Sequence, residues 1–299
     1  MKPTIGTIAV PVQTPESLPP LRTYGGLQLV LAAALLANSV LGPLVLEVVS
    51  YPVSQSLMNQ LIGLELVTAF LVVPWAALAG LAALRGNPSA PILGFAPAAY
   101  AAYMLVQYVL GPEYAEYSLV ALAHLALFVL SAALVLWSWS LSRQAQFPPL
   151  GSRQLRTASV ILVGLAVFVL LRYAGAVTGA FSGADLSDEL MEERTFFWSI
   201  FLLDLGLVVP CTLAAAMALR LDPALGQRAL YAVVGWFSLV PPSVAAMALV
   251  MWVRNDPHAS LPTTVMFGVA ALAFGAFAWH TLRPLLPPET SSVTERNAS

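Results

Sequence analysis

Lysine is almost missing from this chain. Lys2 is the only one, so no lysine lies inside an apolar segment to carry a Schiff base with a retinal-type chromophore. Cysteine is equally scarce. Cys211 stands alone, which excludes an intramolecular disulfide, a CxxC redox pair and a thiolate zinc site. Charge is sparse at 9% of residues, against about 25% in soluble domains. The net charge of −2 gives no reason to expect a nucleic-acid partner. No Gly-x-Ser-x-Gly, HExxH or Walker loop occurs, so no catalytic residue and no metal set is assigned. Residues 1–24 lack the basic-then-apolar order of a cleaved leader.

What the chain has instead is apolar length: 59% of its residues are hydrophobic. Eight runs are each long enough to cross a bilayer, at 25–50, 58–84, 90–111, 117–141, 156–180, 196–219, 229–253 and 262–285. Lipid offers backbone groups no partners, so each run must be helical. The fold expected is an all-α integral membrane protein of eight transmembrane helices, with the lipid bilayer as its first partner.

Loop charges orient it. Lys2, Arg22, Arg85, Arg143, Arg153, Arg156, Arg220, Arg228, Arg283 and Arg296 fall at one end, and only Arg194 and Arg254 at the other. Ten cations against two place both termini in the cytoplasm. The opposite, outer loops are acidic, with Glu113, Glu116, Asp185, Asp188, Glu189, Glu192, Glu193 and Asp256. Tyr51, Tyr114, Tyr117, Trp198 and Trp252 near the outer boundary, and Trp137, Trp139 and Trp279 near the inner one, form the expected interfacial belts.

The chain repeats itself. LVVPWAALAGLAALRGNP at 71–88 is echoed by LVVPCTLAAAMALRLDP at 207–223, and Trp139/Arg143 by Trp279/Arg283. Four spans return the chain to its starting side. The pattern therefore predicts two parallel four-helix repeats, 25–141 and 156–285. A cytoplasmic linker at 142–155 joins them, between an N-terminal segment 1–24 and a polar, disordered tail 286–299.

Ionisable residues inside spans are costly and face the interior with partners. Helical rise puts Glu65 and His124 about 10 Å below the outer boundary, Arg172 about 12 Å and Asp204 about 13 Å. These four are the expected binding or proton-carrying residues. An ion pair of Arg172 with Asp204 or with Glu65 would lock the halves together. Gln107, Tyr108 and Tyr173 lie at similar levels as possible pocket lining. On helix 7, Pro241 and Pro242 leave the carbonyls of Phe237 and Ser238 without their helical donors, which adds these four residues to the lining. The inner half offers only boundary residues and His280. Gly175-x-x-x-Gly179, and Gly268 with Gly275, are candidates for close helix packing.

The four-plus-four plan is similar to that of the heme A synthase family, which carries its cofactors between paired histidines. Here His124 and His280 differ in depth by about 16 Å, too far for one iron. EERTFF at 192–197 resembles the paired glutamates of the intramembrane CAAX-type proteases, but Arg194 follows the pair at once instead of three residues on. DLGLVVP, VGWFSLVPPSVAAMALVM and NDPHAS in helices 6–8 resemble uncharacterised multi-pass membrane proteins of bacteria. That resemblance implies the bacterial cytoplasmic membrane and transfers no catalytic residue.

Three functions stay open on the residues: a transporter or binding protein for a small polar solute or cation, with or without a proton; a membrane enzyme or redox-assembly factor acting on a quinone or heme-type ligand; and a structural or sensor subunit. No cofactor is implied by the sequence.

Overall fold

A computed structural model describes residues 18–186 and 188–286. Among these, eight helices are long and apolar enough to span a membrane. They are α1 (Pro19–Leu44), α2 (Gln55–Leu84), α3 (Ala90–Leu110), α4 (Leu119–Ser142), α5 (Ser152–Arg172), α6 (Arg194–Leu221), α7 (Pro223–Val253) and α8 (Leu261–Leu285). The protein is an all-α polytopic membrane protein. The segment 1–17 and the tail from 287 lie outside the described residues, so the disorder expected of the tail is not addressed.

Among the boundaries that differ from the sequence pattern, three bear on the site. First, α1 starts at Pro19 instead of 25, because two prolines suit a first turn whose N–H groups need no helical partner. Second, it ends at Leu44. Pro43 and the non-helical Gly42 (φ −83°, ψ −139°) break it, and Glu47 turns into the left-handed region at φ 49°. Third, α5 stops at Arg172, and the chain re-forms as a short, exposed helix, Ala174–Ser182. Arg172 is thus the last residue of its span, not two turns inside it.

Helices α3 and α7 form the middle of the bundle. Helix α3 packs on α1, α2, α4, α6 and α7, and α7 packs on α2, α3, α6 and α8. Buried residues run along the whole length of α3, from Ala90 to Tyr108. By contrast α8 buries only Ala278 and Leu282 within Leu261–Leu282. Its remaining apolar face, with Leu272 and Val269, is open, as a lipid-facing surface must be.

Close packing depends on single glycines. A Cβ on Gly63 of α2 would lie 2.5 Å from the Met247 backbone of α7, and one on Gly25 would lie 2.8 Å from the Gly80 carbonyl oxygen. The glycines that the sequence singled out do not do this. Gly175, Gly268 and Gly275 have open space where a Cβ would go, and Gly179 approaches only Ala184.

The LVVP tracts carry matching distortions. Thr68–Val72 in α2 and Asp204–Val208 in α6 are π-helical turns, each closed by a bond from the following residue, Val73 N–H to the Thr68 carbonyl and Val209 N–H to the Asp204 carbonyl. Pro74 and Pro210 come next. A proline ring crowds the carbonyl four residues back, and the wider π turn moves that carbonyl away. The positions correspond one to one at an offset of 136 residues, 68 to 204 and 74 to 210. Asp204 therefore matches Thr68, not Glu65.

Candidate functional site

The polar layer expected from residue depth is two clusters. The first surrounds Glu65, which is 1% exposed. Its carboxylate accepts from Asn38 Nδ2 at 3.0 Å and from the hydroxyls of Ser39 and Tyr108. Helix α1 supplies Asn38 and Ser39, and α3 supplies Tyr108. The other end of the Asn38 amide meets His124 of α4, with Oδ1 2.8 Å from Nε2. The Tyr51 ring, from the α1–α2 connection, stacks on His124 at 5.9 Å with planes 12° apart, and Tyr108 flanks the imidazole at 5.0 Å. Tyr51 is thus buried core, not interfacial belt. Burial and the neighbouring Glu65 charge hold its phenol protonated, well above the ordinary tyrosine range.

The second cluster surrounds Asp204. Tyr103 of α3 donates to Oδ1 at 2.6 Å, and Tyr173, just beyond α5, donates to Oδ2 at 2.6 Å. Arg172 Nη1 lies 3.9 Å from Oδ2. The Arg172 side chain is 47% exposed while that of Asp204 is 11% exposed. Trp236 of α7 packs on Tyr103 at 5.8 Å between ring centres.

Arg172 pairs with Asp204 and forms no ion pair with Glu65 among the described residues. The pair lies within the second half of the chain, so it does not lock the halves together. Glu65 and His124 come together through Asn38 in the first half. Of the lining residues, Tyr108 and Tyr173 are carboxylate donors, and Gln107 borders a void beside Tyr108 too small for more than a water. The prolines of α7 do mark a break, with Ser238 and Leu239 in a turn between two helical pieces. Phe237, Ser238 and Pro241 are buried there, Pro242 is half-buried, and the Ser238 hydroxyl donates to the Gly235 carbonyl at 2.6 Å. None of the four contacts either carboxylate by a hydrogen bond. His280 is exposed.

Sequence reasoning missed Asn38, Ser39, Tyr103 and Tyr51. It also missed the other half of the membrane, where Tyr24 bonds Ser138 at 2.8 Å and Gln28 donates to the Gly94 carbonyl at 2.7 Å. A polar residue within an apolar run was the available signal, and small ones read as packing.

A cleft of about 630 Å³ opens at the end of the bundle that carries the acidic loops. Arg172, Tyr173, Asp185, Glu192, Glu193 and His258 line it, with Phe196 and Phe197 as apolar wall. Glu193 is tied down by the Ser54 backbone N–H at 2.7 Å. Tyr173 belongs both to this wall and to the Asp204 cluster. The arrangement can bind a cation at the rim and an anionic or dipolar group at Arg172. Among the described residues, no three His, Cys, Asp or Glu side chains converge as metal ligands would. No protein-family model, curated protein or solved structure matches the chain.

Proposed function

We propose that the protein binds a small polar solute or cation and passes it across the membrane, with the cleft as its entrance and the Arg172–Asp204 pair as its first charged station. One observation carries this reading. Tyr173 lines the cleft and donates to Asp204, so a single side chain separates the solvent-facing cavity from a buried carboxylate. The acidic rim raises the local concentration of cations, and water exclusion around Asp204 strengthens its hold on charge. The orientation set by the basic loops opens the cleft to the outside of a bacterial cytoplasmic membrane. The paired π turns support two parallel four-helix repeats, the plan of several transporter folds.

The test is a ligand screen by thermal shift on purified protein, using amines, amino acids, monovalent cations and small carboxylates. A compound that raises Tm should lose most of its effect in Asp204→Asn and in Arg172→Gln while both variants stay folded. If both variants merely melt lower and bind as the wild type does, the pair is a structural bolt and the reading is wrong.

A further inference from the structure

The cleft does not use the Glu65 cluster, and that cluster has its own chemistry. Asn38 fixes the hydrogens in it. Its Nδ2 donates to Glu65, so its Oδ1 faces His124 Nε2. An amide oxygen only accepts, which puts a hydrogen on Nε2 and leaves Nδ1 of the neutral imidazole as a bare lone pair. Nδ1 is buried and has no hydrogen-bond partner, on a side chain only 1% exposed. The imidazole and the carboxylate are thus joined through one carboxamide at Nε2, and the basic Nδ1 lies across the ring from that bond.

Ser39 lets the carboxylate change state without losing bonds. Its hydroxyl lies within reach of Glu65 Oε2 and also 3.1 Å from the Leu35 carbonyl oxygen. With Glu65 ionised, the hydroxyl donates to Oε2. With a proton on Oε2, the hydroxyl turns to Leu35 and its oxygen accepts from the new O–H. One O–H bond forms, one hydroxyl rotates, and no buried group is orphaned. Asp204 has no such partner. Its hydrogen-bond donors are two phenols, with the Arg172 guanidinium 3.9 Å away.

We propose that Glu65, Asn38, Ser39 and His124 form a proton-binding site: Glu65 takes up and releases one proton, and His124 is the second basic station, coupled to it through Asn38. The groups around it are few. Tyr108 on α3 and Tyr51 in the α1–α2 connection are the neighbouring phenols, and Tyr100 of α3 is bonded to Ser243 of α7 at 2.7 Å. Helix α7, packed along α2, carries charge only near its ends, at Arg228 and Arg254. The proton site stands whether or not the cleft binds a solute.

Infrared difference spectra between acidic and alkaline buffers test it on the intact protein in lipid nanodiscs. Isotope-labelled glutamate separates glutamate bands from aspartate bands without any mutation. A glutamic-acid C=O band that titrates and exchanges slowly with deuterium is expected in the wild type. It should vanish in Glu65→Gln and persist in Asp204→Asn. Asn38→Ala removes a donor to the ionised form and should move the midpoint up by about one pH unit, tenfold in proton concentration. Absence of a slowly exchanging glutamate band in the labelled wild type overturns the proposal, and so does its survival in Glu65→Gln. Should Glu65→Gln fail to fold, the labelled wild type with Asn38→Ala still decides.

Discussion

Tyr103 and Tyr108 stand on the same helix and donate to carboxylates of different helices, Tyr103 to Asp204 of α6 and Tyr108 to Glu65 of α2. Five residues of α-helix turn a side chain by about 140°, so α3 presents one phenol to each half of the chain. A central helix serves two acids because it is packed on both sides. Tyr103→Phe and Tyr108→Phe should each cost about 1 kcal/mol, between the roughly 0.6 kcal/mol typical of interhelical bonds in membranes and the roughly 1.5–3 kcal/mol of bonds to charged groups. The clusters share no partner, so the double variant should be additive within about 0.5 kcal/mol. Reversible unfolding in mixed micelles measures all three. A coupling well above that margin would mean that the acids belong to one network.

The contact between α2 and α7 rests on Gly63. Its missing side chain lets the Met247 backbone approach to a distance that no Cβ tolerates, and backbone cannot swing aside as a side chain end can. Gly63→Ala should therefore destabilise by about 1–3 kcal/mol, the usual cost of overpacking. Gly268→Ala and Gly275→Ala meet open space and should leave Tm unchanged. Equal losses at all three positions would place α8 against something in the native assembly.

Much of the fold was legible because lipid leaves the backbone no freedom: eight apolar runs had to be eight helices. Ionisable residues within spans were legible for a related reason, since each is costly enough to need a purpose. Their pairing was only partly legible: Arg172 was expected to pair with Asp204 or with Glu65, and the structure has Asp204. Pairing depends on helix rotation, and the π turn beginning at Asp204 resets that rotation within a single helix. Depth failed at Arg172 because α5 ends there with no glycine or proline at the break to announce it; the next residue is Tyr173, held by its bond to Asp204. Asn38 and Ser39 carry no charge, so nothing in a one-dimensional reading separated them from ordinary packing residues. Gly63 was invisible because close approach belongs to the partner helix as much as to the glycine.

Asp256, in the α7–α8 connection, should make the protein acid-sensitive. Burial pushes its carboxyl up. The bonds from Asn59 Nδ2 at 2.8 Å, the His258 N–H at 3.0 Å and the Ser56 hydroxyl at 3.1 Å outweigh burial and hold it below its ordinary value. A carboxyl depressed by folding stabilises fully above its unfolded value, near about pH 4, and that contribution is lost as pH falls through the lower folded value. Wild-type Tm should therefore drop as pH falls below about 4, as the tie between this connection and the start of α2 releases. Asp256→Asn should start lower and respond less. Parallel pH curves for the two proteins would remove Asp256 as the source.

Orientation decides what the cleft means, and it can be measured. Cys211 is the one native cysteine, so a Cys211→Ser background is clean for labelling. Glu116→Cys sits on the acidic connection between α3 and α4, and Gln144→Cys on the basic connection between α4 and α5; both native side chains are exposed. An impermeant maleimide should label Glu116→Cys on intact cells and Gln144→Cys only after the membrane is opened. That outcome places the Arg172 cleft outside, where a solute meets it on entry. The reverse pattern would contradict a ten-to-two charge bias. It would also turn the cleft into a cytoplasmic mouth, so that Asp204 would meet its solute on the way out and uptake assays would have to give way to efflux.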